Sequence, residues 1–88
     1  METELTFHYD RIADILYIKT CQPYPEQESE ELGDDIVARM NPVTEEIESL
    51  EVMFFSTRLL RSNIFKLPVF AHFHQINTGR YKWSKAIA

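Results

Sequence analysis

The chain has 88 residues, 44% of them hydrophobic, 12% aromatic and 26% charged, which is enough apolar side chain for one small core and too much for a disordered segment. One cysteine, Cys21, excludes an internal disulfide, and neither a basic leader with an apolar stretch nor a run of about 18 apolar residues is present, so the expectation is a soluble, cytoplasmic, single domain over residues 1–88. The net charge of −5 conceals a polarity: residues 1–51 carry all 14 acidic residues and three basic ones, a balance of −11, whereas residues 52–88 carry +6.

Leu5, Phe7 and Tyr9 alternate with Glu4, Thr6 and His8, the period of a strand with one buried face. Asp10 to Asp14 then supplies turn residues, and Ile15 to Cys21 is β-branched and aromatic, predicting an antiparallel return strand. From Gln22 to Gly33 the run QPYPEQESEELG has two prolines around Tyr24 and a cluster of glutamates, and it reads as a solvated loop. Ile36 to Met40 alternates as a third strand. Asn41-Pro42 breaks it, NPVTEE forms a turn, and Ile47 to Phe55 returns as a fourth strand with Leu50, Val52 and Phe54 on one face.

Past this second hairpin, Ser56 or Thr57 offers a hydroxyl N-cap to a short amphipathic helix near residues 57–65 that would pack on the apolar face of the sheet. Lys66-Leu67-Pro68 ends it. Residues Val69 to Ile76 then read as an edge strand or an arm, and GRYKWSKAIA lacks a regular pattern. The expected fold class is α+β: a small antiparallel sheet of two β-hairpins, a short C-terminal helix and an extended arm, with residues 7–56 as the β core and 57–88 as helix and arm.

Two separated motifs in this order look familiar. Tyr9-Asp10, Ala13-Asp14 and Leu16-Tyr17-Ile18 in the first hairpin, with Leu50-Glu51-Val52 in the last strand, resemble the bacterial domain of unknown function 2283 family over about residues 5–56. The turn Asn41 to Glu46 departs from the commoner aspartate and glycine turn. The resemblance implies little about function. The family has no established activity, and small proteins of this kind are thought to sit beside toxin-like genes as binding partners.

Candidate chemistry is sparse. Asp10 and Asp14 are spaced for a hard cation, but the turn lacks the further ligands and the glycine of a calcium loop, so both are read as acceptors of backbone N–H groups. His72 and His74 fall on one face of an extended segment and form the best metal pair, which needs a third ligand from His8, Glu48 or Glu51. Cys21 has no base at signature spacing and is read as a structural thiol, and Glu51 as a strand residue facing solvent. Arg80, Lys82 and Lys85 interleave with Tyr81 and Trp83, a combination suited to single-stranded nucleic acid, which the overall negative charge opposes. The reading is a non-catalytic protein with no cofactor and no membrane contact, a homodimer with residues 64–76 crossing to or lying against its twin, which presents a sheet edge or its arm to another protein, with Arg58, Arg61, Tyr81, Lys82 and Trp83 as the candidate contacts.

Overall fold

The computed structural model describes residues 4–76. It contains β1 (Thr6–Asp10), β2 (Ile15–Lys19), β3 (Glu28–Gly33), β4 (Ile36–Met40), β5 (Ile47–Met53) and one helix, α1 (Phe55–Arg61). The five strands form one antiparallel sheet in the order β1-β2-β5-β4-β3. The two expected hairpins are therefore present, and β2 joins them by pairing with β5, Leu16 opposite Val52 and Ile18 opposite Leu50.

The fifth strand corrects the sequence reading. Glu28 to Gly33 lies in the stretch expected to be a solvated loop, yet it pairs along β4 from Glu28 opposite Met40 to Gly33 opposite Ile36. A run of glutamates does not alternate and has low strand propensity, but at the edge of a sheet only one side of the backbone is paired and exposed charge is tolerated. Pairing with the strongly apolar β4 outweighs the local preference. The β3–β4 turn then turns on two residues, Asp34 and Asp35, both at positive φ (53° and 62°) after Gly33 at 96°. Two successive left-handed residues are what a type I′ hairpin requires, and aspartate tolerates them.

The other two hairpins share a turn design although their sequences differ. In the first, the Asp10 side chain accepts from the N–H groups of Ile12 (3.0 Å) and Ala13 (3.1 Å), and Asp14 closes the turn at φ 59°. In the second, the Asn41 side chain accepts from Val43 (2.8 Å) and Thr44 (3.0 Å), and Glu45 closes it at φ 65°. An Asx acceptor at the first position and a left-handed residue four later do the work that glycine does in commoner turns.

The core lies on one face of the sheet. Ile36, Ala38, Leu50 and Val52 are buried, with Ile18, Leu32 and Met40 packed around Ile36, Ala38 and Leu50. These residues alternate along β4 and β5 with Val37, Arg39, Glu51 and Met53 on the opposite face, as the period of two demands.

β5 ends two residues earlier than expected, because Phe54 adopts φ 53°. A left-handed aromatic residue carries about 1–2 kcal/mol of strain. It breaks the strand and starts the helix, so α1 spans Phe55–Arg61 rather than 57–65. Its N-cap is Phe54, without a side-chain cap of its own, and Ser56 and Thr57 sit inside the first turn. The helix does not lie on the apolar face: Leu59 and Leu60 are exposed and Arg58 is its buried residue. The cover comes instead from the segment after it. Leu67 and Val69 pack against the core of their own sheet, and Val69 to Ile76 forms no strand. Among the described residues, no helix is long and apolar enough to cross a membrane.

Candidate functional site

Three groups of side chains converge, and the turns just described help build the first two. The first is a clasp at Asp14. Tyr9, on the neighbouring strand, donates its hydroxyl to Asp14 Oδ1 (2.6 Å), the Ser56 N–H donates to the same oxygen (2.9 Å), and the Ser56 hydroxyl donates to Oδ2 (2.8 Å). The Phe55 N–H also donates to the Asp14 carbonyl (3.1 Å). Asp14 is thus the missing cap of α1, supplied from the first hairpin rather than from the residue before the helix. The Tyr9 hydroxyl holds the Asp14 carboxyl below the usual carboxylate range, helped by the Ser56 N–H, and the same bond raises the Tyr9 phenol. Asp10 behaves as the sequence indicated, whereas Asp14 serves a helix 42 residues away instead of its own strand entry.

The second group surrounds Glu48, which accepts from the Tyr24 hydroxyl (2.6 Å), Gln27 Nε2 (2.9 Å) and Asn41 Nδ2 (3.2 Å). Tyr24 and Gln27 come from the segment before β3, so this carboxylate ties that segment to the sheet. The hydrogen bond from Tyr24, then that from Gln27, depress the Glu48 carboxyl, and the bond to Glu48 pushes the Tyr24 phenol up to about 12. Cys21 is a half-buried free thiol with Gln27 Nε2 at 4.0 Å. The depressed carboxylates stabilise the fold above the unfolded value of about 4, and that stabilisation is lost as pH falls through their lowered values. Tyr24 stabilises below the unfolded value of about 10, and its contribution is lost as pH rises through about 12. Tyr9 is raised as well, but Tyr24 is pushed up to about 12, so titration of phenolate absorbance should show a late step near that value that Tyr24→Phe removes. The same variant should lose stability less steeply in acid, and an unchanged late step would refute the Tyr24–Glu48 pairing.

The third group is apolar. Between the β1–β2–β5 side of the sheet and the segment after α1 lies an open groove of about 1040 Å³, lined by Leu5, Phe7, Leu16, Ile18, Phe65, Leu67, Phe70 and Phe73 among others. The walls are wide open to solvent: Phe7 is 60% exposed, Phe70 89% and Phe73 81%. The opposite face of the sheet is polar. His8 stacks on Tyr17 (6.0 Å between ring centres), Lys19 lies over the same ring, and Arg39 pairs with Glu51 at 2.8 Å. Glu51 is thus a largely covered ion-pair partner rather than a solvent-facing residue.

Of the residues singled out in the sequence, Arg58 is turned inward. Its Nε donates to the Met53 carbonyl (3.2 Å), its Nη1 to Asp34 (3.2 Å), and its guanidinium lies 5.3 Å from the centre of the Phe65 ring. Arg58 is 8% exposed as a whole residue, with its guanidinium engaged inside the fold. Arg61 is exposed, and Tyr81, Lys82 and Trp83 lie outside the described residues. His72 and His74 border the groove but not on a strand. His72 meets the edge of Phe70, and Glu48 and Glu51, the acids expected to complete a metal site, are engaged elsewhere. No three His, Cys, Asp or Glu side chains cluster to hold a metal among the described residues. The clasp and the groove were missed because both depend on contacts between distant segments.

The family model for proteins of unknown function DUF2283 matches residues 6–56. The chain belongs to the DUF2283 family. No curated protein and no solved structure matches it. The DUF2283 segment coincides with a structural unit: it begins at the first residue of β1 and ends at Ser56, whose N–H and hydroxyl are held by Asp14. Tyr9, Asp10 and Asp14, which carried the resemblance, are turn and clasp residues. Nothing in the DUF2283 match or in the described side chains points to an enzymatic activity.

Proposed function

We propose that this DUF2283 protein is a non-catalytic interaction module that works as a homodimer, with the apolar surface around β1 and the groove as its contact region. The observation that carries this reading is the continuous exposure of Leu5, Phe7, Phe70 and Phe73 around one groove. Large side chains scattered singly are ordinary on a soluble protein, whereas a contiguous apolar patch marks a surface that is covered in use. The polar groups with displaced titration, Tyr9, Asp14, Tyr24 and Glu48, are all satisfied by one another and by neighbouring turns, which suits structural work. A nucleic-acid role gains no support from the described residues, where thirteen Asp and Glu face six Lys and Arg.

Sedimentation at micromolar concentration tests the proposal. A dimer is expected, weakened by Phe7→Lys, which places a charge on the patch without touching the buried core. A wild-type protein that sediments as a monomer throughout the micromolar range would overturn it.

A further inference from the structure

The two edges of the sheet are not equivalent. β3, at one edge, exposes Glu28, Glu30 and Glu31. Two copies of β3 laid antiparallel in a register that keeps core face with core face bring acid against acid: centred on Glu28, Glu30 or Glu31 the central glutamate meets itself, and centred on Ser29 it is Glu28 against Glu30. That edge is closed to a twin. β1, at the other edge, reads Thr6-Phe7-His8-Tyr9-Asp10 and carries one acid, at its end. Its core-side residues Phe7 and Tyr9 are 60% and 37% exposed, and Leu5 and Phe7 continue directly into the groove.

We propose that two copies join along β1, antiparallel, about a two-fold axis at His8, making one continuous ten-stranded sheet. This rests on the reading of the chain as a homodimer and specifies the edge and register. Preserving the faces requires the axis to pass through a residue rather than between two. An axis at Phe7 sets Glu4 against the partner's Asp10, and one at Tyr9 leaves Thr6 and Phe7 beyond the partner's strand. With the axis at His8 the whole strand pairs: Phe7 lies beside the partner's Tyr9 and Tyr9 beside the partner's Phe7, so both apolar faces merge. Thr6 meets the partner's Asp10, and no acid faces an acid.

Cysteine cross-linking in a Cys21→Ser background reads the register directly. Residues facing themselves across an antiparallel pair have Cα atoms about 4.5 or 5.5 Å apart, within the span of about 4.4–6.8 Å that a disulfide bridges. His8→Cys is therefore expected to give a covalent dimer on oxidation, while Thr6→Cys, displaced from the partner's Thr6 by four residues or about 13 Å, gives none. A mixture of Thr6→Cys and Asp10→Cys chains cross-links to each other. His8 is exposed, and circular dichroism confirms that each variant keeps its sheet. Wild-type protein that sediments as a dimer, with no cross-link at residue 8, overturns the β1 register and leaves the homodimer standing. A monomeric wild type overturns both.

Discussion

Ile36→Ala is expected to remove about 2–5 kcal/mol of folding free energy, measured as a lower midpoint in chemical denaturation at unchanged slope. Ile36 is 1% exposed and opens β4, where it sits opposite Val52 on one side and Gly33 on the other. Truncation leaves a cavity that cannot collapse, because both neighbouring strands are fixed by their ladders and Ala38 beside it has no volume to give. At roughly 0.05–0.15 kcal/mol per residue, a chain of this length has a total stability of about 4–13 kcal/mol, so the variant sits near the edge of folding. Ile12→Ala is the control. Ile12 is 99% exposed, and its loss should stay within about 0.5 kcal/mol. Equal losses at the two positions would contradict the placement of the core.

Asp34→Gly, which keeps the left-handed turn position, is expected to cost more than Arg58→Met, although the arginine is the buried member of the pair. The Arg58 side chain is 7% exposed and that of Asp34 76%. Arg58 Nη2 is buried with no partner. Removing the aspartate leaves a buried guanidinium without its counter-charge, a loss of about 1–3 kcal/mol after allowing for the exposure of the carboxylate. Replacing the arginine by methionine keeps an apolar stem of similar length and eliminates the unpaired nitrogen, which offsets the loss of the guanidinium's contact with the Phe65 ring, so stability should stay within about 1 kcal/mol of the wild type. Thermal denaturation of the two variants decides it, and the reverse order would mean that the guanidinium is solvated in a way its burial does not indicate.

The strands with alternating apolar residues were legible because their periodicity is local: β1, β2, β4 and β5 start within a residue of where the sequence placed them. What escaped was non-local. β3 has no apolar pattern and exists because β4 offers it a ladder, and α1 begins where Phe54 reverses its φ and Asp14 reaches across to cap it. Asp10 and Asp14 could be assigned to a turn from spacing alone. The second role of Asp14 could not, since Ser56 is 42 residues away. The same distance hid the groove, whose walls are strands from one end of the described chain and phenylalanines from the other.

The Asp14 clasp also bears on time. The hairpins close over two to six residues, whereas the link between Asp14 and Ser56 can form only after β2 has found β5 and the intervening chain has been gathered in. A contact made after the sheet is assembled is absent from the folding transition state, so losing it leaves the rate of folding unchanged and speeds unfolding. Asp14→Gly, which removes the carboxylate and still accepts the left-handed turn position, should shift the unfolding limb of a chevron alone, and a slower folding limb would place the clasp in the nucleus. What the carboxylate contributes, then, is native-state lifetime: it keeps the first turn of α1 from fraying, and with it the chain that runs on to cover the sheet.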